Sequence, residues 1–259
     1  MKYRVLAFLL IAACVARSEA GGMAFAPIAG SAYGMEHDAS IPTAPWVIPQ
    51  GYVQSIVADE TSLNIYAGND WTDMNTVNET GQHAGRYLYR THEVRGSNAA
   101  RVDGGSGGAV SVVDLMTGKA REIVGRADWE ALDGIVWTPW QTLLFGEEVG
   151  TSVRPDPQAP DATSGLVYEL RLRPGNPMAA ERVTVRPLLG ALAHEGIETD
   201  AEGNVYVVDE DHKGSLYKFV PESYGDLSSG QLYALKVKNS GRTGEAEWVA
   251  LNMAQAQIS

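Results

Sequence analysis

Residues 193–211 read Ala193-His194-Glu195-Gly196-Ile197-Glu198-Thr199-Asp200-Ala201-Glu202-Gly203-Asn204-Val205-Tyr206-Val207-Val208-Asp209-Glu210-Asp211. A loop carries His194, Glu195 and Glu198. Asp200-Ala201-Glu202-Gly203-Asn204 has the composition of a tight turn. The apolar run 205–208 then reads as a short strand that enters the acidic cluster Asp209-Glu210-Asp211. Strands that end in carboxylates converging on one face are how a β-scaffold builds a site for hard cations. The theme recurs at Thr91-His92-Glu93 and at Phe145-Gly146-Glu147-Glu148.

Outward from this stretch, strands are predicted at 52–58, 63–67, 86–94, 109–115, 120–124, 141–145, 165–172, 182–187, 214–220, 232–238 and 246–251. Between them, 68–81 reads as a long polar loop and 127–132 as a helical turn. Pro155, Pro157 and Pro160 mark 149–164 as a surface excursion. The Gly-Gly-Ser-Gly-Gly of 104–108 lacks a following Gly-Lys-Ser/Thr and leads into a strand, so it is a β-loop rather than a phosphate loop. Helical periodicity is almost absent. Sandwich, barrel and propeller all fit, and the repeated unit of turn, Asp/Gly, apolar strand and aromatic favours an all-β β-propeller of four-stranded antiparallel blades. The expected organisation is a signal peptide at 1–20, an irregular Ala/Gly/Pro-rich arm at 21–49 and a propeller at 50–259 that lacks C-terminal blades.

The 259 residues include 32 Asp and Glu against 20 Lys and Arg, a net charge of −12. That balance argues against a nucleic-acid partner, which needs clustered basic side chains. A polyanionic substrate would be repelled unless bound metal locally inverted the field. Lys2 and Arg4 precede an apolar segment at 5–16 that is too short to span a bilayer, as in an export signal. Two cleavage readings stay open. Ser18-Glu19-Ala20 suits an ordinary signal peptidase, whereas Ile11-Ala12-Ala13-Cys14 resembles a lipobox that would put a lipid on Cys14. The protein is therefore expected to be a periplasmic or extracellular monomer, touching membrane only through a lipidated Cys14. Because Cys14 is the only cysteine, disulfides within the chain are excluded.

Glu93, Glu147, Glu148, Glu195, Glu198 and Asp209 interrupt apolar runs where strands end. Each alone is most simply a solvated turn residue. Together they suit Ca²⁺, which takes six to eight oxygens from flexible carboxylates, carbonyls and water. His92 and His194 each precede a Glu, and could be ligands, acids or simply loop-orienting groups. Trp71, Trp137 and Trp140 read as loop braces or core. No His-Glu-x-x-His helix and no Gly-x-Ser-x-Gly elbow is present.

Four segments occur in order: Tyr-Arg-Thr-His-Glu-Val at 89–94, Thr-Pro-Trp-Gln-Thr-Leu-Leu-Phe-Gly-Glu-Glu at 138–148, His-Glu-Gly at 194–196, and Tyr-Val-Val-Asp-Glu-Asp-His-Lys-Gly-Ser-Leu-Tyr-Lys-Phe-Val at 206–220. The set resembles the PhoX-type alkaline phosphatase family and its secreted relatives. The resemblance implies an exported β-propeller that hydrolyses small-molecule phosphomonoesters at a calcium–iron centre. It further implies metal ligands at Glu93, Glu147, Glu195 and Asp209, with Glu148 and Glu210 as additional candidates. Asn69, Asp70, His92 and His194 would lie on the substrate side. Three departures stand out: Gly146 where the family motif often has Cys, Thr91 where it has Asn, and Val208 and Glu210 within its Gly-Asp-Asp. The Gly146 departure bears on Fe³⁺, since the mature chain offers no substitute thiolate.

Two other classes remain. Residues 196–206 also resemble the repeat of calcium-dependent lactonase propellers, and a non-catalytic exported calcium-binding propeller would retain the acids without the chemistry. The metal-enzyme readings share one spatial expectation: Glu93, Glu147, Glu195 and Asp209 converge at one end of the sheets.

Overall fold

A computed structural model describes residues 55–58, 60–68, 71–96, 100–150, 156–163, 165–238 and 243–252. The signal segment, the arm at 21–49, Asn69 and Asp70 lie outside the described residues. Contacts divide the chain into Met1–Ile56 and Val57–Ser259, and every strand below belongs to the second unit.

Among its described residues that unit is nearly all-β, with a short α1 (Glu60–Leu63) and a 3₁₀ turn at Pro187–Leu189. Three antiparallel meanders follow one another. The first is β1 (Trp71–Val77), β2 (Tyr87–Glu93), β3 (Ala109–Asp114) and β4 (Lys119–Gly125). The second is β5 (Leu132–Trp137), β6 (Leu143–Glu147), β7 (Val167–Arg173) and β8 (Asn176–Val185). The third is β9 (His194–Thr199), β10 (Val205–Asp209), β11 (Leu216–Ser223), β12 (Asp226–Val237) and β13 (Ala246–Ala250). Each first strand meets its neighbour's, with β5 packed against both β1 and β9. This is the blade arrangement of a propeller, with the first strands innermost. Among the described residues, no helix is long and apolar enough to cross a membrane.

The inner strands of the central blade, β5 and β6, are buried along their whole length, so they read as near-continuous apolar runs rather than alternating ones. Along β6, Leu143 and Phe145 join Tyr89, Val112, Trp129 and Tyr168 in the core between the first two blades. Leu144 faces the other way, into the core it shares with Val205, Val207, Tyr217 and Phe219 of the third blade. Full burial of each such side chain contributes about 1.5–3 kcal/mol. The β9–β10 turn is held by Asp200, whose carboxylate accepts the Glu202 and Asn204 amides at 3.1 and 2.8 Å. Gly203, at φ 85°, supplies the left-handed residue that the turn needs.

Two expectations change. Residues 71–77 form β1 rather than part of a loop, and 194–199 form β9. Both are innermost strands with polar faces, so hydrophobic alternation does not reveal them. The strand read at 63–67 instead starts in α1 and keeps only an isolated bridge at Tyr66, 55–58 of the strand read at 52–58 are not in a strand, and Leu132 begins β5 instead of ending a helical turn.

Candidate metal centre

The three innermost strands bring Asp73 (β1), Asp133 (β5) and Glu195 (β9) toward one another. Ligand oxygens of Asp133, Glu148 and Glu195 lie within 4.8 Å of each other. The approach depends on Gly134. A Cβ there would stand 2.3 Å from the Glu195 carbonyl oxygen, so the β5 and β9 backbones can touch only because the side chain is missing. Thr91 fixes the same stretch from the first blade: its hydroxyl donates to the Asp133 carbonyl at 2.5 Å.

Three more carboxylates close around these. Asp73 lies beside Glu93, Asp133 beside Glu195, and Glu148 beside Glu210, each neighbour raising the carboxyl next to it. Each blade therefore contributes one acid from its first strand and one from the end of its second. Arg95 enters the group with Nη2 at 2.9 Å from Glu93 and 2.5 Å from Glu148. One guanidinium does not balance so many acids. Burial, then the charges of Asp73 and Glu195, push the Asp133 carboxyl up to about 8. Burial and the neighbouring Glu210 push Glu148 to about 8 as well. Asp73 is raised by burial and by Glu93. Carboxyls raised by burial and by crowding against one another form a donor set that a hard divalent cation would satisfy.

Glu147 and Asp209 stand apart from this group. Each continues the buried row of its strand, after Leu143 and Phe145 in one case and Val205 and Val207 in the other. Glu147 is 3 % exposed. It accepts the amides of Glu130 at 3.1 Å and Leu166 at 3.3 Å, with the Tyr168 hydroxyl at 3.2 Å. Burial raises its carboxyl to about 7, against the pull of these donors. The same hydroxyl reaches Asp156 at 3.0 Å, and Arg126 pairs with Asp156 at 2.8 Å. Asp209 accepts the Ala193 and Asp211 amides at 3.3 and 3.2 Å. Of the acids named from sequence, Glu93, Glu148, Glu195 and Glu210 thus come together, and Glu147 and Asp209 brace the strands behind them. Glu198 is exposed on β9, where it accepts the Thr199 amide.

Both histidines are internal. His92 Nε2 lies 2.7 Å from the buried Ser111 hydroxyl. His194 Nε2 lies 3.2 Å from the Gly190 carbonyl, and burial lowers its imidazole to about 4. Gly146 faces His194: a Cβ at Gly146 would stand 2.6 Å from the His194 Cβ. A thiol would not fit there, and the donors of the cluster are all oxygen. Trp137 stacks on Tyr89 and Trp140 donates to Glu169, so both are braces, while Trp71 is exposed.

Sequence reading missed Asp73 and Asp133. The first sits in the strand read as a loop. The second had a signal, the Leu132-Asp133-Gly134 entry to an apolar strand, where an acid and a glycine replace core residues.

Residues 133–259 match the family model described as alkaline phosphatase PhoX. The family resemblance drawn from the motifs therefore holds over a stretch that includes Asp133, Glu148, Glu195 and Glu210. Among solved structures, the chain resembles Pseudomonas fluorescens PhoX in complex with vanadate, a transition state analogue. Identity is 16 %, the TM-score is 0.43, and the match covers 73 % of this chain and 51 % of that one. The chain thus spans about half the length of that relative. No curated protein matches.

Proposed function

We propose that the protein is an exported, metal-dependent phosphatase that hydrolyses small-molecule phosphomonoesters at a calcium site. The observation that carries this reading is the approach of Asp133, Glu148 and Glu195, from two neighbouring blades, to within 4.8 Å of one another. These three would hold the cation, with Asp73, Glu93 and Glu210 completing the oxygen donors. A bound divalent cation supplies charge neutralisation for the phosphoryl oxygens and for the transition state they pass through. The chain's own part is to fix the donors. Gly134 lets two backbones meet, Thr91 anchors the Asp133 carbonyl, and Glu147 and Asp209 tie down the adjoining loops. The all-oxygen donor set suits calcium, and the filled space beside Gly146 leaves no room there for a thiolate that would favour iron.

The test is hydrolysis of p-nitrophenyl phosphate by purified protein with added Ca²⁺, compared with Asp133→Asn and Glu195→Gln. Both variants are expected to lose Ca²⁺ binding and at least about a hundredfold in turnover. Wild-type activity in the two variants would overturn the assignment.

A further inference from the structure

Arg95 lies two residues past the end of β2, and its guanidinium lies among the carboxylates. Its Nε is 3.0 Å from Glu93 Oε1 and its Nη2 is 2.5 Å from Glu148 Oε2, so it links the first two blades. The Arg95 side chain is 43 % exposed, against 12 % for Glu93 and 14 % for Glu148. The charge therefore reaches in from the solvent side on a long stem. Two consequences follow from ordinary electrostatics. The guanidinium relieves repulsion between acids that burial already disfavours as anions. It also takes up oxygens of Glu93 and Glu148 that a divalent cation would need. A guanidinium and a dication cannot both lie against those oxygens without strong like-charge repulsion.

We infer that Arg95 is a resident counter-ion of the acidic cluster, that a divalent cation displaces it from Glu148, and that the displaced guanidinium then holds an anionic oxygen of the substrate. Its planar fork of donors matches a phosphate group, and its exposed stem lets it turn outward without unpacking core. Cation loading and anion binding are thereby coupled through one side chain. The cation site and the identity of the anion both rest on the calcium-phosphatase reading above.

The experiment uses the full chain, stripped with chelator and titrated with Ca²⁺ by calorimetry, as wild type, Arg95→Ala and Arg95→Lys. Without its competitor, Arg95→Ala should bind Ca²⁺ at least about tenfold more tightly than wild type. Arg95→Lys, which keeps a charge, should fall between them. Equilibrium dialysis of inorganic phosphate against the Ca²⁺-saturated proteins should show Arg95→Ala at least about tenfold weaker than wild type. Arg95→Gln carries the same expectations should the alanine variant fail to fold. Equal or weaker Ca²⁺ binding by a folded neutral variant overturns the displacement. Unchanged phosphate affinity overturns the anion-holding role. Wild-type hydrolysis of p-nitrophenyl phosphate, measured alongside, separates the two ideas. Tightened Ca²⁺ binding with no hydrolysis sinks the phosphatase reading alone, and hydrolysis with unchanged Ca²⁺ binding sinks the counter-ion alone.

Discussion

At the end of β6, Glu147 turns into the core between the first two blades while Glu148 joins the acidic cluster. At the end of β10, Asp209 turns inward and Glu210 meets Glu148. The two adjacent pairs follow one plan, yet they differ in depth. Glu147 reaches two backbone amides from different loops and a tyrosine that leads on to Asp156 and Arg126. Asp209 reaches two amides close by, and only one of them, Ala193, lies beyond its own turn. A strand's period of two thus divides labour between neighbouring acids, one bracing and one available for binding. How much the brace matters depends on how far its hydrogen bonds extend.

The largest effect should come from exchanging the roles within the first pair. Glu148→Ala is expected to weaken Ca²⁺ binding by at least about a hundredfold, with little change in thermal stability in the absence of metal. Calorimetry and a melting curve on the same sample check this. If Glu147→Ala gives the same pattern, the division between brace and ligand is wrong. Glu147→Ala should instead lower the unfolding free energy by about 3 kcal/mol, because it leaves buried amide donors unpaired. Urea denaturation in calcium-free buffer measures it.

The seam between the two devices supplies a pH test. His194 pairs with Asp209 across β9 and β10 and packs against Gly146 of β6. Its imidazole is lowered to about 4 in the folded chain, from 6.5 when unfolded. Between those values the unfolded state binds the extra proton, so folding stability falls as pH drops from 6.5 toward 4. The slope from this group reaches about 1.4 kcal/mol per pH unit. His194→Gln keeps a donor but cannot titrate, and its denaturation midpoints should lack this part of the acid limb. An unchanged acid limb would mean that the imidazole is not held neutral. The smallest effect is expected from Asp209→Ala, about 1 kcal/mol by urea denaturation. A loss as large as that of Glu147→Ala would erase the difference in depth.

The blades were legible where strands are covered on both faces, as in the run Thr142-Leu143-Leu144-Phe145, because full burial leaves an unbroken apolar signature. The innermost strands were not. Trp71–Val77 and His194–Thr199 present polar side chains toward the cluster, so they carry the composition of loops while having the hydrogen bonding of strands. Those same strands hold Asp73 and Glu195, so the site was hardest to read where it is built. The acids at 147–148 and 209–210 were visible as a set. Which of each pair faces inward depends on strand register, which adjacency in sequence leaves open.

Gly134 has one further consequence. Asp133 and Glu195 are carried by backbones in contact, since even a methyl group at Gly134 would collide with the Glu195 carbonyl. The span between their carboxylates is therefore set by main-chain spacing more than by side-chain reach. A cleft of fixed width sorts ions by radius: Mg²⁺ demands oxygens at about 2.0–2.1 Å, and Ca²⁺ accepts about 2.3–2.6 Å. Ion preference in this molecule would then be tuned by the absence of a single methyl group, on a residue that supplies no ligand itself.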